Sequence, residues 1–388
     1  MFNLKTIPTA AFANWGRRLF ILFLICSFVL IIGISFISKP KIYHCFMDTD
    51  LTDHEDLSSS KDESSLLRDI LFAKEKPIPG RTIFFVESKC NCSDSGYTIL
   101  NFTAHQACAI ESAALHHSSY EVFALVACPS IRQQIDPVLD ALLSYKNVKV
   151  RYVNLWRFAA GTPIEDWLKK DDLFHTKYKL KFRIKIHSQF SSLRYLMVNI
   201  SDLLRILALY RYGGIYMDTD VVVLRSFAAE PPNFMAAETK TSIANGVFGI
   251  EPNGVGDQLA KQLLIGFQKY YSGNIWAYNG PKLFSRVMFE ICGTKDINLM
   301  QNDPDRCQGI KVFDIDAFYK IKWMERRGFF EPHLANATLQ RLNDAYVTHL
   351  WNHIKTDWPI RVDSGAAYMQ LAAKHCPKVL AATGKYFT

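Results

Sequence analysis

The stretch Ser201–Phe227, SDLLRILALYRYGGIYMDTDVVVLRSF, constrains this chain more than any other part of it. Leu203, Ile206, Leu207 and Tyr210 recur at helical spacing, so its first half predicts a helix, with Ser201 as the cap and Gly213-Gly214 as the stop. Ile215–Met217 and Val221–Leu224 read as apolar strand on either side of Asp218-Thr219-Asp220. Two carboxylates inside an apolar run are costly unless a counter-charge is bound with them. In extended backbone, Tyr216, Asp218 and Asp220 share one face. Oxygen ligands suit a hard divalent cation, Mn²⁺ or Mg²⁺, which usually completes its shell with phosphate oxygens and water. The pattern points to a metal-bound diphosphate; the competing reading is a strand end with solvated acids.

The flanking residues favour the first of these. Ser201-Asp202-x-x-Arg205, followed by Tyr210, Gly213-Gly214, Tyr216, Asp218 and Asp220, resembles the signature of DXD-type retaining α1,4-glycosyltransferases, the family of lactosylceramide 4-α-galactosyltransferase and α1,4-N-acetylglucosaminyltransferase. The likeness covers roughly Arg81 to the C-terminus. It implies a GT-A-type nucleotide-sugar-binding fold, a Mn²⁺ (or Mg²⁺) cofactor and a UDP-sugar donor. The implied reaction is α1,4 transfer of galactose or N-acetylhexosamine, with retention, to a glycosphingolipid or, alternatively, a glycoprotein glycan. On this resemblance Asp218 and Asp220 hold the metal, and Asp202 and Asp220 are the catalytic carboxylates. Asp202, Arg205, Tyr216 and Asp218 face the UDP-sugar, and Glu87, at the end of a strand, lies in the nucleotide pocket. Ala244-Asn245-Gly246 resembles a family segment on the acceptor side and Trp276–Pro281 resembles a loop that opens a helix, which makes Asn245, Gly246 and Asn279 further candidate contacts to the UDP-sugar. Thr348-His349-Leu350-Trp351 resembles a late segment that approaches the metal, which makes His349 the candidate third ligand and Trp351 a substrate contact. The plainer alternatives are a structural histidine beside a buried tryptophan and, for Asp202 and Arg205, a surface ion pair one helical turn apart.

Two other functions fit parts of the pattern. Met217-Asp-Thr-Asp-Val221-Val222 matches a haloacid-dehalogenase-type phosphatase motif, but that family opens its domain with the motif, and here about half the chain precedes it. A non-catalytic, lectin-like homologue is the other, and loss of one acid would have favoured it; both acids are present.

The chain has 388 residues, 49% hydrophobic and 21% charged, an ordinary globular composition. Leu19–Ile37 carries no charge and is long enough to span a bilayer as a helix. Lys5, Arg17 and Arg18 before it, against Lys39 and Lys41 after it, tip the N-terminus toward the cytoplasm. Ile34–Ile37 is a poor cleavage site, so an uncleaved signal anchor is expected rather than a signal peptide. The expected organisation is a cytoplasmic tail (1–18), an anchor (19–37), a stem (38–80) and a lumenal catalytic domain (81–388) of a single-pass type II Golgi membrane protein. Asp48–Asp69, acidic and serine-rich, suits a solvated stem. Sequons at Asn91, Asn101, Asn199 and Asn336 agree with a lumenal domain, although a glycan at Asn199 would crowd the site helix. Of nine cysteines only Cys26 falls in the span, so disulfides are permitted, Cys292–Cys307 first among them. Cys90-x-Cys92 lacks a second ligand pair for a zinc site.

Thr82–Val86, Val122–Ala127 and Val148–Val153 read as strands and His105–Leu115 as a helix. Strands alternating with helices predict a largely parallel α/β sheet with its ligand crevice at the strand carboxyl ends. Lys177–Lys185 alternates basic and apolar residues, as a charged edge strand would; attraction to anionic headgroups or acidic glycans is the functional alternative. Much of the net charge of +8 sits there, so it implies no nucleic-acid partner.

Overall fold

The alternation of short apolar runs with helical segments is realised as a layered, mixed α/β fold. A computed structural model describes residues 20–27, 66–90, 97–170, 173, 195–351 and 359–388. The chain divides into residues 1–44 and 45–388. In the first unit, residues 20–27 of the predicted span are helical. The rest of that span lies outside the described residues, and among the described residues no helix is long and apolar enough to cross a membrane. The Lys177–Lys185 stretch, the Asn91 sequon, Cys45 and Cys92 also lie outside them.

The principal sheet of the second unit contains β1 (Thr82–Glu87), β2 (Glu121–Val126), β3 (Val148–Tyr152), β4 (Gly214–Met217), β6 (Phe234–Thr239), β7 (Val247–Ile250) and β8 (Lys311–Phe313) in the order β8-β6-β7-β4-β1-β2-β3, with Ser242–Ile243 beside β6. A separate two-stranded sheet joins β5 (Val221–Val223) to β9 (Val347–His349). From β3 to β4 every pairing is parallel, as the sequence predicts. Beyond β4 the sheet is mixed, because β7 runs antiparallel to both β4 and β6. That reversal positions the site. Met217 pairs with Val247, so the residues just past β4 face those just before β7, and the Asp218 N–H donates to the Gly246 carbonyl at 2.7 Å.

Helix α1 (Ala104–His116) opens with a Thr103–Gln106 capping box. Helix α2 spans Pro137–Leu143. Helix α3 (Leu196–Tyr212) begins five residues earlier than Ser201, which lies inside it. Its apolar face is buried as the periodicity requires, and the helix ends at Gly213 with φ 61°. The second glycine has a different necessity: a Cβ on Gly214 would stand 2.1 Å from the Thr82 carbonyl oxygen of β1. Gly213-Gly214 thus lets the chain turn out of α3 and enter the sheet against β1 without a clash.

The folded unit begins before Arg81. Leu67 and Ile70 donate backbone hydrogen bonds to Ser130 and Tyr152, Ile70 is fully buried, and Asp69 is paired with Arg157 at 2.8 Å. The predicted stem is therefore too long at its carboxyl side. Residues from Leu66 onward cover the edge strand β3, and the ion pair lets an acidic residue pack there.

Cys292–Cys307 is bonded as predicted, and Cys90–Cys128 and Cys108–Cys376 are also disulfides. The last joins α1 to the residue after α6 (Ala367–His375), α4 and α5 being Gly254–Tyr270 and Pro281–Cys292.

Candidate active site

The Asp-Thr-Asp segment is a turn between β4 and β5 rather than extended strand. The shared face predicted from strand alternation therefore does not exist; the turn gathers the acids instead. The Tyr216 hydroxyl donates to Asp218 Oδ1 at 2.8 Å. His349 arrives through register: it pairs with Val221 in the two-stranded sheet, and the Leu350 N–H donates to the Asp220 carbonyl at 2.8 Å. Its Nε2 lies 3.1 Å from Asp220 Oδ1 and 3.7 Å from Asp218 Oδ2. One ligand atom from each of Asp218, Asp220 and His349 falls within 4.8 Å of the others.

Burial by itself would lower the His349 pKa, but Asp220 and then Asp218 raise it above the ordinary histidine value. The Trp351 N–H also approaches Nδ1, at 3.2 Å. A ring with its proton on Nε2 satisfies both contacts, donating toward Asp220 and accepting from Trp351 at Nδ1. Trp351 itself has φ 61°, a left-handed backbone rare for a bulky residue, and its ring lies 4.3 Å from that of His349. Its indole N–H donates to the Ile321 carbonyl.

Asp202 and Arg205 form no surface pair. They are 4% and 5% exposed. Arg205 Nη1 donates to Asp218 Oδ1 and to the Asn245 carbonyl, each at 2.8 Å, and its guanidinium lies 4.4 Å from the Tyr216 ring centre. Arg205 also donates to the Ser201 hydroxyl, which explains a serine inside the helix. Asp202 Oδ1 accepts from Asn245 Nδ2 at 2.8 Å and lies 3.4 Å from Arg205 Nη2. Burial pushes the Asp202 carboxyl up to about 6, against the opposing pull of Arg205 and Asn245.

Two glycines are fixed by this cluster. A Cβ on Gly246 would sit 2.7 Å from Asp218 Oδ2, and one on Gly280 would sit 2.8 Å from Asp202 Oδ1. Asn279, next to Gly280, is committed within the protein: it donates to Asn199 Oδ1 and the Ser272 carbonyl and accepts from the Ser272 N–H. It ties the loop before α5 to α3. Asn199 is 2% exposed inside α3, so this sequon offers no accessible side chain in the folded protein. Glu87 ends β1, where its carboxylate accepts from the Lys89 N–H at 2.6 Å and from the Gln106 side chain. Burial raises its pKa.

Tyr319 is a site residue that sequence reasoning missed. It is buried against His349 and Trp351, with ring centres 5.5 and 5.8 Å away. The hypothetical Gly246 Cβ would meet its hydroxyl at 2.9 Å, and among the described residues that hydroxyl has no hydrogen-bond partner. No motif or periodicity marks this position, because a turn brings it in from far along the chain.

The local charge is simple to count. Asp202, Asp218 and Asp220 against Arg205 leave two negative charges when His349 is neutral. A divalent cation balances that, and two carboxylates with an imidazole are a chemically suitable donor set. The Tyr319 hydroxyl beside it is a buried polar group with no partner among the described residues, an unmet hydrogen bond next to the acids.

Residues 103–241, which contain this turn, match the glycosyltransferase sugar-binding region containing DXD motif, and residues 252–383 match the alpha 1,4-glycosyltransferase conserved region. The two matches identify the chain as a glycosyltransferase similar to the α1,4-glycosyltransferases. It is 27% identical over 302 residues to lactosylceramide 4-alpha-galactosyltransferase of Mus musculus, covering 77% of this chain and 75% of that protein. It is also 27% identical over 277 residues to alpha-1,4-N-acetylglucosaminyltransferase of Homo sapiens, covering 70% and 74%. A solved structure of the galactosyltransferase LgtC with donor and acceptor sugar analogs aligns over 78% of this chain and 96% of its own, at 12% identity and a TM-score of 0.37. The DXD region of this glycosyltransferase family implies a divalent metal.

Proposed function

We propose that this glycosyltransferase moves galactose or an N-acetylhexosamine from a UDP-sugar, in α1,4 linkage and with retention, to a glycosphingolipid acceptor on the lumenal face of the Golgi membrane, through a GT-A-type site. The convergence of Asp218, Asp220 and His349 beside a buried Asp202–Arg205 pair carries this reading. Relatives named for lactosylceramide support the lipid acceptor, and the apolar Leu19–Ile37 stretch supports the membrane anchor. Asp218, Asp220 and His349 would hold Mn²⁺ or Mg²⁺, which when bound supplies charge neutralisation for a diphosphate leaving group.

The chain's own residues do the rest. Tyr216 and Arg205 fix the Asp218 carboxylate through its Oδ1, leaving Oδ2 on the side of Gly246 and His349. Gly246, without a side chain, lets Asp218 and Tyr319 close around the backbone at this point, and the buried Tyr319 hydroxyl, without a partner among the described residues, is left as a hydrogen-bonding group beside the acids. Asp202, anchored by Asn245, accepts from donor-sugar hydroxyls; as a carboxylate hydrogen-bonded to the acceptor-side segment, it stabilises positive charge developing on the transferred sugar. Trp351 packs on His349 and Tyr319 and excludes water from this side. Glu87, at the carboxyl end of β1, belongs to the nucleotide side.

The test is a donor panel of UDP-galactose, UDP-N-acetylgalactosamine and UDP-N-acetylglucosamine with Mn²⁺ and lactosylceramide, the product anomer being read by proton NMR. Transfer of one sugar with an α anomer is expected. A β product, or no transfer together with phosphate release from small phosphoesters, would overturn the assignment.

A further inference from the structure

A second site lies outside the cluster described above. An open surface groove of about 680 Å³ is bounded on one side by α5, with Lys282, Arg286 and Glu290 along it, and is lined elsewhere by Ser242 and Lys295. It starts one residue after Gly280, the glycine pressed against Asp202 and Asn245, and follows the helix to its carboxyl end. At about 1.5 Å per residue, twelve residues of helix give it a length of about 18 Å. It is thus long enough for an extended chain, and the helix start that bounds it adjoins Gly280 in sequence.

Its charge selects the occupant. Lys282, Arg286 and Lys295 face a single acid, Glu290. Arg286 is held in place by two rings, its guanidinium lying 4.1 Å from the centre of Tyr270 and 5.4 Å from that of Tyr278. Its Nη1 is buried and has no hydrogen-bond partner among the described residues. A buried guanidinium nitrogen with no acceptor is an unmet requirement, and the planar fork fits a carboxylate or a sulfate better than it fits a neutral hydroxyl.

The position speaks against the donor. The groove is on the β6–β7 flank, where Ser285 of α5 binds the Ile243 N–H at 2.9 Å, whereas the parallel strands β1 to β3 offer their carboxyl ends to a nucleotide on the other flank. It also lacks a pair of acids to hold a cation for a diphosphate.

We propose that this groove is an acceptor subsite for an acidic glycan, binding a carboxylate or sulfate of the acceptor through Arg286, Lys282 and Lys295 while the acceptor's end reaches Asp202. The inference rests on the transferase reading. It adds a preference for charged acceptors that relatives named for neutral lactosylceramide do not imply.

The experiment uses the full-length protein with a neutral lactoside, its sulfate ester and a sialylated lactoside as acceptors. Wild type is expected to show kcat/KM at least about tenfold higher for one or both acidic acceptors, equivalent to about 1.4 kcal/mol. Arg286→Gln, and separately Lys282→Gln with Lys295→Gln, should bring that ratio toward one; the surface double variant covers the case in which Arg286→Gln misfolds. Equilibrium titration of the same lactosides gives the comparison without turnover, and UDP release from donor alone reports on the transferase reading independently. Acidic lactosides that bind through Arg286 in a protein that consumes no UDP-sugar would sink the function and leave the groove standing. Active enzyme with a wild-type ratio of one, or a ratio unmoved by the substitutions, would overturn the groove. So would loss of binding to phosphatidylserine vesicles in the variants without loss of acceptor discrimination, which would assign these cations to a membrane surface.

Discussion

Replacing Asp202 by asparagine should stabilise the metal-free protein while it destroys activity. Asp202 is 4% exposed, and burial lifts its carboxyl from its ordinary value of 3.8 to about 6 despite Arg205 and Asn245. A raised carboxyl pKa means that the folded state binds the proton more tightly than the unfolded chain does. The cost of burying the charge is therefore absent below about pH 4, grows as pH rises, and is complete above about pH 6. A shift of about 2 pH units corresponds to about 3 kcal/mol, an upper figure for a group with partners. Asparagine keeps an acceptor for Asn245 Nδ2 and leaves Arg205 paired with Asp218, so it removes the penalty without orphaning the cation. In EDTA, thermal unfolding of Asp202→Asn at pH 7.5 should exceed wild type by a few degrees, and the gap should close by about pH 4. Transfer should fall by about 10²–10³ in kcat. A gap that does not change with pH, or a variant less stable than wild type at pH 7.5, would refute the reasoning.

Other outcomes follow from the same geometry. Gly246→Ala and Gly280→Ala should each lower kcat by at least about tenfold, measured by initial rates, because the new methyl displaces Asp218 or Asp202 from its position. Cys108→Ser with Cys376→Ser opens a link between residues 268 apart and should cost about 4–5 kcal/mol in denaturant unfolding, with an unchanged metal requirement. Asn199→Gln should leave the electrophoretic mobility of protein expressed in the secretory pathway unchanged, since Asn199 is buried in α3, whereas Asn101 and Asn336 are exposed.

Much of this site could be read from the sequence wherever its chemistry is local. Asp202, Arg205 and the acid pair lie within one helix–turn–strand unit, and the glycine pair marks where the chain must cross β1 closely. His349 could be named only through a family resemblance, because register with β5, over 100 residues away in sequence, is what delivers it. Tyr319 and the α5 groove were invisible for the same reason: a lone tyrosine and a helix with spaced cations look like ordinary surface and core until the topology joins them to Gly246 and Gly280. Strand alternation misled at the acids, since a turn occupies the place of extended backbone. The stem boundary misled because Asp69 reads as solvated until Arg157 is set beside it.

The central claim is that Asp218, Asp220 and His349 form one metal-dependent donor site. Calorimetric titration of the full-length protein with a UDP-sugar, in Mn²⁺ and in EDTA, tests it most directly. Binding in Mn²⁺ that is lost in EDTA, and weakened by at least about tenfold in each of Asp218→Asn, Asp220→Asn and His349→Gln, is the predicted result. Equal donor affinity with and without the ion, or full Mn²⁺-dependent affinity in any of the three variants, would contradict it.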